Sequence, residues 1–197
     1  MKDMGWWKMM SQEYYGSITH TEETIHTLFH MRYRIYYMNK VIALGAVGLL
    51  LAAMGWLLAL PMWLEGCMLL IGCILFVGRE FPATVQAERV LDVRKGQLPI
   101  IHFAFREEEV QISEQKVKKN IPYQDFEHLV EYQNYLFCFL NENSVFMVER
   151  ETLNGNDEKI MSFMEKSSGL HWEKPISLLT LNLQDLLRIW DRHKRKK

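Results

Sequence analysis

Apolar and polar positions divide the chain into a membrane-like middle and two mixed flanks. Residues 41–60, Val-Ile-Ala-Leu-Gly-Ala-Val-Gly-Leu-Leu-Leu-Ala-Ala-Met-Gly-Trp-Leu-Leu-Ala-Leu, hold no charged or strongly polar side chain. Twenty residues at about 1.5 Å each match a hydrocarbon core of about 30 Å. An ordinary core helix of this length would keep a polar face. The run starts 40 residues in, too late and too long for a cleaved signal peptide. Pro61 ends it, and a second apolar run extends from Met62 to Gly78, interrupted once by Glu65. Glu65 lies one turn from the start, where its carboxylate can sit in water, and Arg79 can snorkel at the far end. The short connection predicts a tight antiparallel hairpin of two spans. Gly48 and Ala52, four apart, offer a small-residue seam for close packing.

Flanking cations predict the orientation. Arg32, Arg34 and Lys40 precede the first span, and Arg79, Arg89, Arg94 and Lys95 follow the second, while the turn has no Lys or Arg. Both termini are therefore expected in the cytoplasm with the turn near Pro61 outside; for a bacterial host the membrane is the plasma membrane. Tyr33, Tyr36 and Tyr37 fall at the expected interface, where amphipathic rings collect.

The flanks carry other periods. Residues 12–19, Gln-Glu-Tyr-Tyr-Gly-Ser-Ile-Thr, read as a short strand. Thr21 ahead of Glu22, Glu23 and Thr24 supplies a capping hydroxyl and first-turn acids. That helix runs toward Met38 and on into the first span. Past the membrane, residues 83–95 read as a helix with Arg89, Arg94 and Lys95 near the lipid surface, stopped by Gly96 and Pro99. The period then changes to that of strands. Ile100–Phe105, the alternating Val110 and Ile112, Val117 with Ile121, and Leu129–Tyr132 are each strand-like. Tyr135–Leu140 and Val145–Val148 flank the turn Asn141-Glu142-Asn143-Ser144, a hairpin apolar on both faces. Asn154-Gly155 is a further turn. Asn156 can cap a helix from Asp157 whose stripe is Ile160, Phe163 and Met164, and Gly169 ends it. Five or six strands are expected, with the strand near Tyr14 completing the sheet.

The predicted divisions are 1–40, 41–78, 79–96, 97–170 and 171–197. In the last, Leu183, Leu186, Leu187 and Trp190 share a helical face, and Arg188, Arg192, Lys194 and Arg195 make the end basic. This extension reads as a packed terminal helix with a solvated tail, an interfacial helix on anionic lipid, or a docking helix for a partner.

Composition narrows the class. The 197 residues are 49% hydrophobic and 24% charged with net charge −1, which excludes a disordered chain and a basic nucleic-acid binder. Cys67, Cys73 and Cys138 form no CxxC pair and read as buried thiols in a reducing setting.

The succession of strand, helix, two-span hairpin, basic helix and strand-rich domain resembles the YcxB-like bacterial membrane proteins. The resemblance is carried by Ile121-Pro122-Tyr123-Gln124-Asp125-Phe126, by Val130-Glu131, by Tyr135-Leu136-Phe137, and by the helix Ala87–Lys95. After the last strand of the hairpin the run Val148-Glu149-Arg150-Glu151-Thr152-Leu153 departs from the family's pattern, and only Arg150 keeps the charge. The resemblance implies an α+β membrane protein: a transmembrane helical hairpin plus a small antiparallel PH-like β-sandwich or barrel closed by one α-helix.

Catalytic chemistry is sparse. The chain has no phosphate loop, HExxH, nucleophile elbow or dinucleotide fingerprint. Glu22, His26 and His30 are spaced four apart on one helix face, a pattern that can hold a divalent metal but more often is structural. Cys138 with His128 suggests a thiol–imidazole pair, although an apolar strand makes a thiol inert. Arg106 with Glu107, Glu108 and Glu109 reads as a solvated turn. Lys116, Lys118 and Lys119 could bind phosphate headgroups, or guard an exposed strand edge. No enzyme activity, metal, cofactor or nucleic acid is expected. The expected role is a membrane-anchored interaction module that binds membrane lipid or an unidentified membrane or cytoplasmic protein, with self-association open. The lipid or partner contacts would come from Arg89, Arg94, Lys95, Lys116, Lys118, Lys119, Arg188, Arg192, Lys194 and Arg195. The alternative is an immunity or transporter-accessory protein against a membrane-active bacteriocin.

Overall fold

A computed structural model describes residues 13–58, 61–115 and 117–175. Lys116, Arg188, Arg192, Lys194, Arg195 and the amphipathic C-terminal extension from residue 176 lie outside the described residues.

The first helix, α1, runs from Glu22 to Leu57. Thr21 and Thr24 start it with a reciprocal cap: each side-chain oxygen accepts from the other residue's backbone N–H, at 3.2 and 2.7 Å. The helix bends at Tyr37, whose φ and ψ are −120° and 24°. Helix α2 covers Met62–Val77, a 3-10 turn covers Gly78–Glu80, and α3 covers Phe81–Arg94. Two helices, Glu22–Leu57 and Met62–Arg94, are thus long and apolar enough to cross a membrane. Their apolar side chains point outward: Leu50, Trp56, Met62, Trp63, Ile74 and Val77 are all exposed. A helix in the core of a soluble protein would bury such a belt.

The small-residue seam is used, with a partner that the pattern on one helix did not reveal. A Cβ added to Gly48 would lie 2.7 Å from the Gly72 carbonyl oxygen, and one added to Gly72 would lie 2.6 Å from the Gly48 oxygen and 2.9 Å from Ala52 N. The two backbones therefore meet directly, which only glycine permits.

Among the described residues eight strands form two four-stranded sheets: β1 near Tyr14 and seven past the apolar hairpin, against the five or six expected there. The first sheet has the order β1-β2-β3-β4 and the second β7-β6-β5-β8. In the first, β1 (Tyr14–Thr19), β2 (Ile100–Phe105), β3 (Glu109–Glu114) and β4 (Val117–Pro122) pair antiparallel. In the second, β5 (His128–Tyr132), β6 (Tyr135–Asn141) and β7 (Ser144–Glu149) do the same, and the two-residue β8 (Trp172–Glu173) adds in parallel to β5. A strand of two residues has no period to read, which is why β8 escaped prediction. The sheets do not close into a barrel among the described residues.

The strand near Tyr14 does complete a sheet. Gly16 lets β1 approach the second sheet, since a Cβ there would lie 2.6 Å from Leu153 and 2.9 Å from Val148. The core between and around the sheets holds Ile18, Phe103, Phe105, Val110, Ile121, Leu129, Leu136 and Met147. Helix α4, Asp157–Ser168, closes it with Ile160 and Met164, and Phe163 meets the Tyr123 ring edge-on at 5.4 Å. Asn156 holds the N-cap position without a side-chain cap bond; the first-turn acids Asp157 and Glu158 serve that end instead. Gly169 ends α4 in the left-handed region at φ 71°.

Strand β6 is apolar on both faces because each face is covered. Tyr36 of α1 packs on Phe139 at 6.0 Å, and Phe137 stacks beside Phe139. Leu136 and Cys138 alternate onto the opposite face. Met31, Leu28, Ile35 and Tyr36 make one stripe that joins the β-domain core. The tyrosines expected at the lipid interface also make protein contacts. Tyr33 is buried with Val41 and Ala83, the Tyr36 hydroxyl donates to Glu127 at 2.8 Å, and the Tyr37 hydroxyl donates to Glu142.

Replacing Gly72 with Val forces the helices apart and should cost about 2 kcal/mol of stability. Gly66→Ala, with nothing within 4 Å, should change it by less than about 0.5 kcal/mol. Thermal unfolding of both variants in detergent micelles checks the contrast.

Candidate functional site

Helix α3 runs back along the first half of α1, and polar residues on the two helices interlock. On α1, His26, His30 and Arg34 recur every four residues; Glu80 at the N-cap of α3, then Thr84 and Glu88 within it, do the same. Antiparallel packing matches them in reverse order. His26 Nε2 lies 3.1 Å from Glu88, and His30 Nδ1 lies 2.9 Å from Glu80. His30 Nε2 is 3.2 Å from the Thr84 hydroxyl. Arg34 donates twice to Glu80, at 2.9 and 3.1 Å. Arg32 adds a bond to Gln86. Ala83 and Ala87, both fully buried, allow the close approach.

Burial alone would raise the Glu80 pKa. Hydrogen bonds from His30 and Arg34, with the Arg34 charge, outweigh it and hold the carboxyl at about 2. The pair signal was present in the sequence as two four-residue repeats of opposite character on either side of the apolar hairpin. The metal pattern, by contrast, dissolves: His26 and His30 each reach an acid on α3, and Glu22 is exposed. Among the described residues, no group of three His, Cys, Asp or Glu side chains converges on a metal position.

A cleft of about 250 Å³ lies between this stretch of α1 and the β5–β6 turn. Glu23, His26, Thr27, His30 and Arg34 line one wall, and Tyr132 and Gln133 the other. Its strongest donors, Arg34 and His30, already serve Glu80. The cleft is smaller than the usual small-molecule pocket of roughly 300–1,000 Å³.

The thiol–imidazole reading fails on geometry. Leu129 lies opposite Cys138, while His128 lies opposite Phe139. Cys138 and His128 therefore project from opposite faces of the sheet. The His128 ring packs edge-on to Tyr36 at 6.0 Å, and its Nδ1 lies 3.5 Å from Glu173. Cys138 is buried, and burial pushes its thiol up to about 12.

Arg150, which the sequence singled out only as a retained charge, ties three elements together. It donates to Asp157 at the start of α4, to Glu131 on β5 at 2.6 Å, and through its backbone N–H to Asn134 O at 2.9 Å. The Arg150 hydrogen bond lowers the Asp157 pKa.

Of the cations expected as contacts, Arg89, Arg94, Lys95, Lys118 and Lys119 are among the described residues. Arg94 stands seventeen residues beyond Val77, about 25 Å along the helix path at about 1.5 Å per residue. There it pairs with Glu114 at 3.3 Å, on the β3–β4 hairpin. Arg89 and Lys95 are exposed on the same helix, and Lys118 and Lys119 are exposed on β4. Helix α3 extends the second apolar helix instead of turning along a surface, so these positions recede from the belt. Close to the belt stand Lys40, over the Tyr37 ring at 4.4 Å, Arg79, over Phe76 at 4.4 Å, and the acids Glu127 and Glu142 that hold Tyr36 and Tyr37.

No protein-family model matches the chain, and no curated protein matches it.

Two outcomes follow from this chemistry. Glu80 ionises at lower pH folded than unfolded, so its stabilisation is full above about 4.5 and disappears as pH falls toward about 2. Glu80→Gln should lose about 2 kcal/mol at neutral pH and show a shallower acid slope over that window, read by thermal unfolding from pH 6 to 2. Cys138 should resist maleimide at pH 7.5 in the folded protein and react only when denatured, as peptide mass spectrometry would show.

Proposed function

We propose that this protein is a non-enzymatic, membrane-anchored interaction module. The observation that carries the reading is the shared helix α1. Its apolar half packs on α2 through Gly48, and its other half supplies Met31 and Tyr36 to the β-domain core. A domain fixed to a two-helix anchor meets partners at one surface, where high local concentration makes weak binding sufficient.

In this reading the exposed apolar belt lies in the bilayer and the turn near Pro61 faces outward. Lys40 and Arg79 stand at the inner boundary, in keeping with positive-inside orientation. The β domain then lies in the cytoplasm. Two sheets closed by α4 are consistent with the PH-like arrangement that the family resemblance implies. Paired histidines, a buried thiol and a cleft whose donors are already bonded argue against catalysis.

A protein partner is favoured over lipid headgroups. Glu127 and Glu142 sit beside the boundary tyrosines, where they would repel anionic headgroups, whereas Arg89, Lys95, Lys118 and Lys119 lie at the remote end.

The test is cross-linking in native cells, then purification in mild detergent and mass spectrometry. A stoichiometric protein cross-linked to residues 97–175 is the expected result. Recovery of the chain with lipid and no second protein would overturn the reading.

A further inference from the structure

Strand β4 is the outer strand of its sheet. Strand β3 pairs with one edge, and among the described residues no strand pairs with the other. Val117, Lys118, Lys119 and Asn120 are exposed, Val117 at 70%. An open edge presents backbone N–H and C=O groups to any extended chain that reaches it.

The register assigns the side chains. Lys119 lies opposite Ile112 and Ile121 opposite Val110, and both partners belong to the core. Val117, Lys119 and Ile121 therefore occupy the core-facing row. Ile121 is buried, yet Val117 and Lys119 are not, so the core cover stops short of this end of the strand. Lys118 and Asn120 project to the outer face, where Asn120 bonds to Gln111 at 3.0 Å. An arriving strand would meet one apolar side chain and a cation on each face.

Charge selects what can pair there. A second copy of β4 would bring lysines against lysines, and like charges across a strand pair are destabilising. An acidic strand gains what a second copy loses. The acids nearby are Glu114, held by Arg94, and Glu109, which accepts from the Asn120 amide on β4 and so is already engaged; exposed Val93 and Lys95 flank Arg94. The Arg94–Glu114 contact ties this end to the remote terminus of α3, out of reach of headgroups.

We infer that the free edge of β4 docks an acidic, extended segment of a partner protein. The segment adds a strand, sets carboxylates against Lys118 and Lys119, and sets an apolar side chain beside Val117. This rests on the interaction-module reading and names the partner's chemistry.

The experiment uses the full chain in detergent micelles and an end-blocked fluorescent peptide, Thr-Val-Glu-Glu-Val-Glu-Thr, whose adjacent acids reach both faces of the strand, followed by anisotropy. Saturable binding is expected. It should fall at least tenfold when Lys118→Glu and Lys119→Glu are combined, and at least tenfold when alternate peptide nitrogens are methylated. Lys166→Glu on α4 should leave it unchanged. No binding, or binding that survives N-methylation, overturns the docked strand; so does displacement of the peptide by phosphatidylserine vesicles. A partner cross-linked in cells only to sites away from β4 would also overturn this inference while leaving the module reading standing.

Discussion

One helix belongs to two cores. The belt half of α1 must keep Gly48 turned toward Gly72, because their backbones touch. Its other half must keep Met31 and Tyr36 turned toward the second sheet. A helix fixes the rotation between any two of its residues, apart from the bend at Tyr37. The seam between α1 and α2 and the packing of the β domain are therefore joined through the non-helical residue Tyr37, whose φ and ψ set how the two halves of α1 stand to each other. Substitutions that rotate or break α1 would reach both, and the position of the β domain relative to the hairpin follows from this one element.

Helix α3 reinforces the constraint by a different kind of force. Along α2 contact rests on backbone proximity, as suits an apolar medium where polar groups are costly. Beyond the belt the same pair of helices changes to ion pairs and hydrogen bonds, with Glu80 receiving both His30 and Arg34. Removing one member would leave partly buried charge without a partner, which costs more than the pair gains. The charges that stay unpaired by this scheme, on Arg89, Lys95, Lys118 and Lys119, are exposed away from the belt.

The strands and helices were largely legible in the sequence. The 20-residue apolar run, the Pro61 break, the cap at Thr21, the alternation through β2 to β7 and the stop at Gly169 each act locally, through length, φ preference or period. The inertness of Cys138 was legible too, because an apolar strand implies burial. Three features were not. Nothing local says that α1 covers β6, although the apolarity of both faces of β6 required some cover. The two-residue β8 has no pattern. That Arg94 meets Glu114 on the β3–β4 hairpin was not legible either, because period shows that a helix forms, not where its axis points.

The sequence by itself determined which segments are apolar enough for a bilayer, which are strands, and which catalytic motifs are missing, since these depend on residues near one another in the chain. Only the tertiary structure decided that Gly72 faces Gly48, that His26 and His30 meet acids more than 45 residues later, that His128 and Cys138 point apart, and that β4 is the outer strand of its sheet among the described residues. Each of those facts is a juxtaposition across chain-distant segments. Such contacts are set by packing two cores on one helix that bends at Tyr37, and no local period encodes them.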